Sequence, residues 1–324
     1  MAYLNTKRSA LFVKGGAALP VPPANFYEVS EELLINPEPT VEEFNRVSGK
    51  LGTTDSYTDS CHTVFNQTLS HKMRSNNLAA DALETPPEYG EMLKLCGFDE
   101  TIDTITPDQE TVTYTNSQTP TPGSAVAFLD GKKFTMTDGV VGDATFTFEI
   151  GKVAMLDVSL SGFLDNAGVP TDEANPSVTL NDEPTLIVSC ADVITAGGAA
   201  VSADKVTITM GADVQEYYAL GLKEFDIADY VIKLTADFYV DSADYADAIT
   251  KLNAETAEAI VLKLGTNQTG TLINGRSVEI TADVAKANTF TDSADKSRVK
   301  RSFTWLLRPD GSDINLSIKH GFFA

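Results

Sequence analysis

The side chains best suited to chemistry in this 324-residue chain are few and scattered. Histidine occurs only as His62, His71 and His320, and no two stand at the spacing that sets a pair of imidazoles on a metal. The cysteines are Cys61, Cys96 and Cys190. An odd set without a CxxC pair supports neither a disulfide framework nor a thiolate zinc site, and a reducing compartment is the simpler expectation. No GxSxG, Walker loop, HExxH or GxGxxG occurs. DGVVGD (138–143) has the acids of a metal loop but not the twelve-position calcium spacing. A glycosidase needs only two carboxylates close in space, and nothing in the sequence singles out such a pair. The chain therefore reads as a non-enzyme, with no cofactor and no metal.

What remains is charge. Asp and Glu number 46 against 24 Lys and Arg, for a net charge of −22. Such an excess repels phosphates instead of neutralising them, which argues against wrapping nucleic acid and against anionic membranes. It also keeps separate particles apart and soluble. The start, MAYLNTKRSALFVKGGAALP, lacks the continuous apolar stretch of a signal peptide. No run approaches the roughly 20 apolar residues of a membrane helix.

The elements that must carry this charge are mostly strands. Residues 1–40 hold Pro20, Pro22, Pro23, Pro37 and Pro39 and read as an irregular N-terminal arm. Strand-like sequence runs from Phe44 to Leu51, then GTTDSYTDS (52–60) reads as an exposed loop or hairpin tip, and CHTVFNQTLSHKM (61–73) as strand. In PPEYGEMLKLCGF (86–98) the period changes: Tyr89, Met92, Leu93 and Cys96 form one helical face, with prolines before and Gly97 after. TVTYTNS (111–117) and SAVAFL (124–129) are strands. GKKFTMTDGVVGDATFTFEIGKVAMLDVSLSG (131–162) is a ribbon. Its apolar positions alternate through Phe134 and Met136, then Phe146, Phe148 and Ile150, then Ala154, Leu156, Val158 and Leu160. Asp138-Gly139 and Gly151-Lys152 read as its turns.

DNAGVPTDEANP (165–176) is acidic and turn-rich and marks a domain boundary, with the second domain opening near Val178. There KVTITM (205–210) and YVIKLTADFYV (230–240) alternate as strands. A helix is expected over 242–260 on Tyr245, Ala248, Ile249 and Leu252, with strands at 259–265, 276–284, 300–307 and 314–320. Both halves thus read strand, strand, helix, strands, which suggests duplication beside the alternative of two ordinary α+β domains. The expected class is mainly β (α+β). Its layout is an arm (1–40), a first sandwich domain (41–165), a linker (166–177) and a second domain (178–324), each domain with one principal helix.

The ribbon KKFTMTDGVVGDATFTFEIGKVAMLDVSLSGFL, preceded by the PPEYGEMLKLCGF helix, resembles the tail tube (major tail) proteins of long-tailed bacteriophages. The likeness is one of profile over about residues 40–165, and is weaker over 178–324. It implies a virion protein, assembled in the host cytoplasm, whose rings stack into the tube that conducts the genome. It implies a β-barrel shared between subunits with an acidic inner surface. Implied partners are further copies of the chain, tail tip or baseplate and terminator proteins, the tape measure protein and, in transit, DNA. With two tube domains per chain, a trimeric ring of six-fold appearance is expected. A hexamer of one tube domain and one decorating domain is the alternative.

On that reading the candidate lumen-facing acids are Asp143, Glu149, Asp157, Asp237 and Asp241. The candidate inter-ring loop carries Thr53, Asp55, Tyr57 and Asp59. A candidate basic stacking patch comprises Lys296, Arg298, Lys300, Arg301 and Arg308. Each group reads equally as ordinary solvated surface. Trp305 reads as core. A secreted or surface adhesin-like β module, or a decorating virion component, would share the composition.

Overall fold

A computed structural model describes residues 9–16, 18–22, 25–29, 33, 35, 37–45, 54–74, 86–103, 111–116, 121–178, 185–220, 222–240, 245–255, 257–273, 277–312 and 314–321. For 38–45, 54–62, 167 and 245–248 this covers the backbone alone. The chain is mainly β, and its described residues form 18 strands joined by antiparallel pairing. The first half holds β1 (Ser9–Gly15), β2 (Phe26–Tyr27), β3 (Glu38–Asn45), β4 (Thr54–Lys72), α1 (Gly90–Leu95), β5 (Phe98–Asp103), β6 (Thr111–Asn116), β7 (Gly123–Leu129), β8 (Lys132–Glu149), β9 (Met155–Leu164) and β10 (Thr171–Asp172). The second holds β11 (Val193–Ala196), β12 (Ala199–Val201), β13 (Ala203–Ala219), β14 (Leu222–Tyr239), α2 (Tyr245–Ala254), β15 (Ala257–Leu264), β16 (Ser277–Asp295), β17 (Arg298–Arg308) and β18 (Ser317–Gly321).

Period-two alternation builds the core. Ala144, Phe146 and Phe148 of β8 are buried, as are Leu156, Val158 and Leu160 of β9. Val206, Ile208 and Met210 of β13, Ile232, Leu234 and Ala236 of β14, and Phe303, Trp305 and Leu307 of β17 join the same cluster. Apart from Leu306, the residues between them are polar, so one face of the sheet is apolar and the other mostly wet. The α1 face expected from Tyr89, Met92, Leu93 and Cys96 is fully buried in this core. Gly90 is required there, because a Cβ would stand 2.1 Å from the Tyr114 hydroxyl.

The pairing pattern of the first half recurs in the second. In the first, β1 pairs β2 and β7, β4 pairs β3 and β9, and β8 pairs β7, β9 and β10. In the second, β11 pairs β12 and β15, β14 pairs β13 and β17, and β16 pairs β15, β17 and β18. Among the described strands, β5 and β6 lack a counterpart. Two pairings cross between halves: β8 with β13, and β6 with β18.

Several local expectations are corrected. Within the stretch expected as an arm, Ser9–Gly15 is not laid on the surface. Leu11, Phe12 and Val13 of β1 are buried, because β1 completes a sheet edge against β7. Asp55, Tyr57 and Asp59 are not in a loop but in β4, paired with β3, while Thr53 and residues 46–52 lie outside the described residues. Asp138-Gly139 does not turn the chain. β8 runs on through it, with Asp138 at φ 52 and a break in register against β9 between Thr137 and Val140. A bulge absorbs the turn signal and bends the strand from β7 toward β13. Ile150 is 45% exposed at the β8–β9 turn, where Gly151 takes φ 77. In α2, Ile249 is 46% exposed and Leu252 half-buried, unlike the buried Met92, Leu93 and Cys96 at α1. The linker is pinned: β10 pairs with β8, Lys132 bridges Asp172, and Lys133 reaches Glu173 at 2.9 Å.

Candidate functional site: a polar sheet face and its open edge

The order β3-β4-β9-β8-β13-β14-β17-β16 forms one continuous surface across both halves. Residues opposite one another in an antiparallel pair share a face, so register places the side chains in rows. Across β8, β13, β14, β17 and β16 one row is all threonine, Thr147, Thr207, Thr235, Thr304 and Thr289, and it continues to Met155 of β9 and Lys72 of β4. The Thr235 and Thr304 hydroxyls lie 2.9 Å apart in a hydrogen bond. The next row toward the β8–β9 turn holds Glu149, Lys205, Asp237 and Ser302. On the other side come Ser70, Asp157, Thr145, Thr209 and Lys233.

Asp143, Glu149, Asp157 and Asp237 therefore stand on one face, as strand parity requires. Asp143 is exposed and the other three half-buried. Asp157 accepts from the Ser70 hydroxyl at 2.5 Å, and Glu149 pairs with Lys152 at 2.7 Å. Asp241 lies outside the described residues.

The same face continues along the β13–β14 hairpin, where Asp213 stands opposite Asp229 and Gln215 opposite Asp226. Gln215 donates to Asp213 at 2.7 Å. These acids escaped the sequence reading, which ended the first strand at Met210 and began the next at Tyr230. The signal was present in GLKEFDIAD, where buried Phe225 and Ile227 alternate with exposed Glu224 and Asp226.

The basic patch does not form a uniform surface. Arg301 has the parity of Phe303 and Trp305 and is 1% exposed. It donates to Asp292 at 2.7 and 2.9 Å and stacks over Phe290 at 4.4 Å. The guanidinium holds the Asp292 carboxyl below its ordinary range. Lys300 is bound to Asp204 at 2.7 Å, and Arg298 lies 6.0 Å over Tyr239. Lys296 sits in the β16–β17 turn at φ 45, and Arg308 is exposed far along β17. Parity separates what sequence proximity grouped.

One buried histidine instead takes part in the seam between halves. His320 of β18 is buried, with its Nε2 2.9 Å from the Tyr89 hydroxyl. Burial pushes its pKa down to about 3, so it is neutral at pH 7. His71 stacks on Tyr27 at 4.9 Å, and burial lowers its pKa as well. Nearby Glu88 is pushed up to about 7, first by burial and then by Glu28. Among the described residues, no group of three or more His, Cys, Asp or Glu is placed to hold a metal ion. No described helix is long and apolar enough to cross a membrane.

The face has an open margin. Among the described residues, β16 pairs with β15 only as far as Lys286, beyond it residues 287–295 pair with β17 alone while α2 lies beside β16, and β3 pairs only with β4. No family model and no curated protein matches this chain.

Proposed function

We propose that the chain is the structural subunit of a phage-type tail tube, with two tandem tube domains whose polar face lines the channel. The observation that carries this reading is the β8–β13 pairing. It joins two halves of matching connectivity edge to edge, Asp143–Glu149 of one against Lys205–Gly211 of the other. By the correspondence of halves, β16 is the counterpart of β8 and β3 the counterpart of β13. The open edge of β16 is then completed by β3 of the next copy, which repeats between chains the junction already made within one. Exposed edges demand such closure, and repetition of one junction closes a ring. Two equivalent units per chain favour three chains per ring over six.

The wet face suits conduction. Its threonine row is neutral, and Asp143, Asp213, Asp226 and Asp229 add negative charge that repels a passing phosphate backbone. Function on this reading lies in surfaces shared between copies and in no pocket. Tail tip, terminator and tape measure proteins would meet the ends and lumen of the assembled tube, inside a virion.

Negative-stain microscopy of concentrated protein, with a tail-tip complex as nucleator, tests the reading. Rings with a central channel and three-fold class averages are expected. Six copies per ring would replace the tandem arrangement by the hexameric one. A chain that stays monomeric under those conditions sinks the tube, and leaves the adhesin-like or decorating module.

A further inference from the structure

The long face has two unlike ends. At one, the β13–β14 hairpin turns after Leu220, whose side chain is wholly exposed, beside Tyr217 and Leu222 at 44% and 42%. Glu224 and Asp226 flank this tip, both exposed. At the other end Ile150, Ile187 and Val299 are 45%, 56% and 40% exposed. They belong to one region: the Ile150 N–H donates to the Asp204 carbonyl at 3.0 Å, Gly151 N–H to Val188 at 2.8 Å, and Lys300 binds Asp204. Its acids are engaged, Glu149 by Lys152, Asp204 by Lys300 and Asp295 by Tyr239. Lys296 and Arg298 are exposed there at the β16–β17 turn.

Apolar side chains at both ends would be covered at a gain of about 25 cal/mol per Å2. The ends cannot meet within one copy, because the strand from Lys205 to Leu220 spans about 50 Å. An acidic apolar tip and a basic apolar turn on opposite ends form a heterologous pair, which adds copies in open series. We propose that the β13–β14 tip of one copy docks on the Ile150, Ile187 and Val299 end of the next copy along the strand direction. The inference rests on the tube reading only for what is stacked, and it places an inter-ring contact at the second hairpin.

Two variants test it. Leu220→Asp blocks the tip, and Val299→Asp with Arg298→Glu blocks the receiving end. All three positions are exposed, so unchanged circular dichroism is expected. By sedimentation velocity each variant alone should lose at least tenfold in series growth while keeping its rings. An equimolar mixture restores one contact and should give a discrete two-unit species. Growth of Leu220→Asp like the parent, or a mixture that forms no such species, overturns the docking and leaves the ring standing. A photocrosslinker at position 220 should attach to peptides bearing 150–153, 185–188 or 296–300, and attachment elsewhere overturns the docking. Tip-to-end crosslinks in a chain that makes no rings would support the docking and overturn the tube.

Discussion

At the scale of residues, burial decides which charges act. Arg301 sits in the core because its strand parity is that of Phe303 and Trp305, and Asp292 is what makes that position tolerable. The two partners are unequal, since the Asp292 side chain keeps 25% of its exposure. Asp292→Ala leaves a buried guanidinium without its carboxylate and should cost about 3 kcal/mol or more. Arg301→Met leaves a carboxylate that water can reach and should cost clearly less. Urea unfolding of both variants checks the order. His320 carries a pH dependence of known sign. Its folded pKa, about 3, lies below its ordinary 6.5, so the fold binds fewer protons than the unfolded chain. The stability it contributes is complete above pH 6.5 and falls as pH drops toward 3, by about 2 kcal/mol between 6.5 and 5. Glu88 works the other way: its raised pKa favours the fold as pH falls from about 7 to 4.5. On going from pH 7 to pH 5 the denaturation midpoint should therefore shift toward greater stability in His320→Gln, and toward lower stability in Glu88→Gln, relative to the parent.

At the scale of elements, alternation was readable and ends were not. The helix face of α1 and the buried positions of β8, β9, β13, β14 and β17 follow from apolar spacing alone. Asp138-Gly139 carries the chemistry of a turn, yet β7 and β9 flank β8 on both sides of it and hold the chain extended. β4 likewise takes in the polar stretch 54–60 because β3 offers it a partner. Local preference loses wherever a neighbouring strand supplies backbone hydrogen bonds. Close approach gives a test of α1. In Gly90→Ala the new methyl must displace Tyr114, whose hydroxyl donates to Glu100 at 2.7 Å. A loss of about 1–3 kcal/mol is expected from thermal or urea unfolding. On the open edge, Thr289→Lys with Thr291→Lys should leave the monomer's unfolding unchanged within about 0.5 kcal/mol and abolish rings under the microscope.

At the scale of the whole molecule, the charge of −22 opposes any assembly of copies. Lateral closure and end-to-end docking should then respond oppositely to salt. Near 10 mM the screening length is about 30 Å and self-repulsion is strongest, so rings should form better near 150 mM, where it is about 8 Å. The acidic tip and basic turn attract, so series of rings should shorten as salt rises further. Light scattering and microscopy across a salt series separate the two responses. Seams within the chain are the other large-scale feature, since β8–β13 and β6–β18 bind the halves into one network.

By itself the sequence determined the β class, the buried parity of its strands, the α1 face, the acidity and the repeated order of elements. All of these depend on residues a few positions apart, where spacing is already geometry. Only the tertiary structure decided that Ser9–Gly15 is a core strand, that Arg301 is inside, that Asp213 and Asp229 join Asp143 on one face, and that β8 meets β13. Those facts depend on which distant strand lies alongside. Pairing is a long-range choice made by backbone hydrogen bonds and packing together, and no local pattern records it.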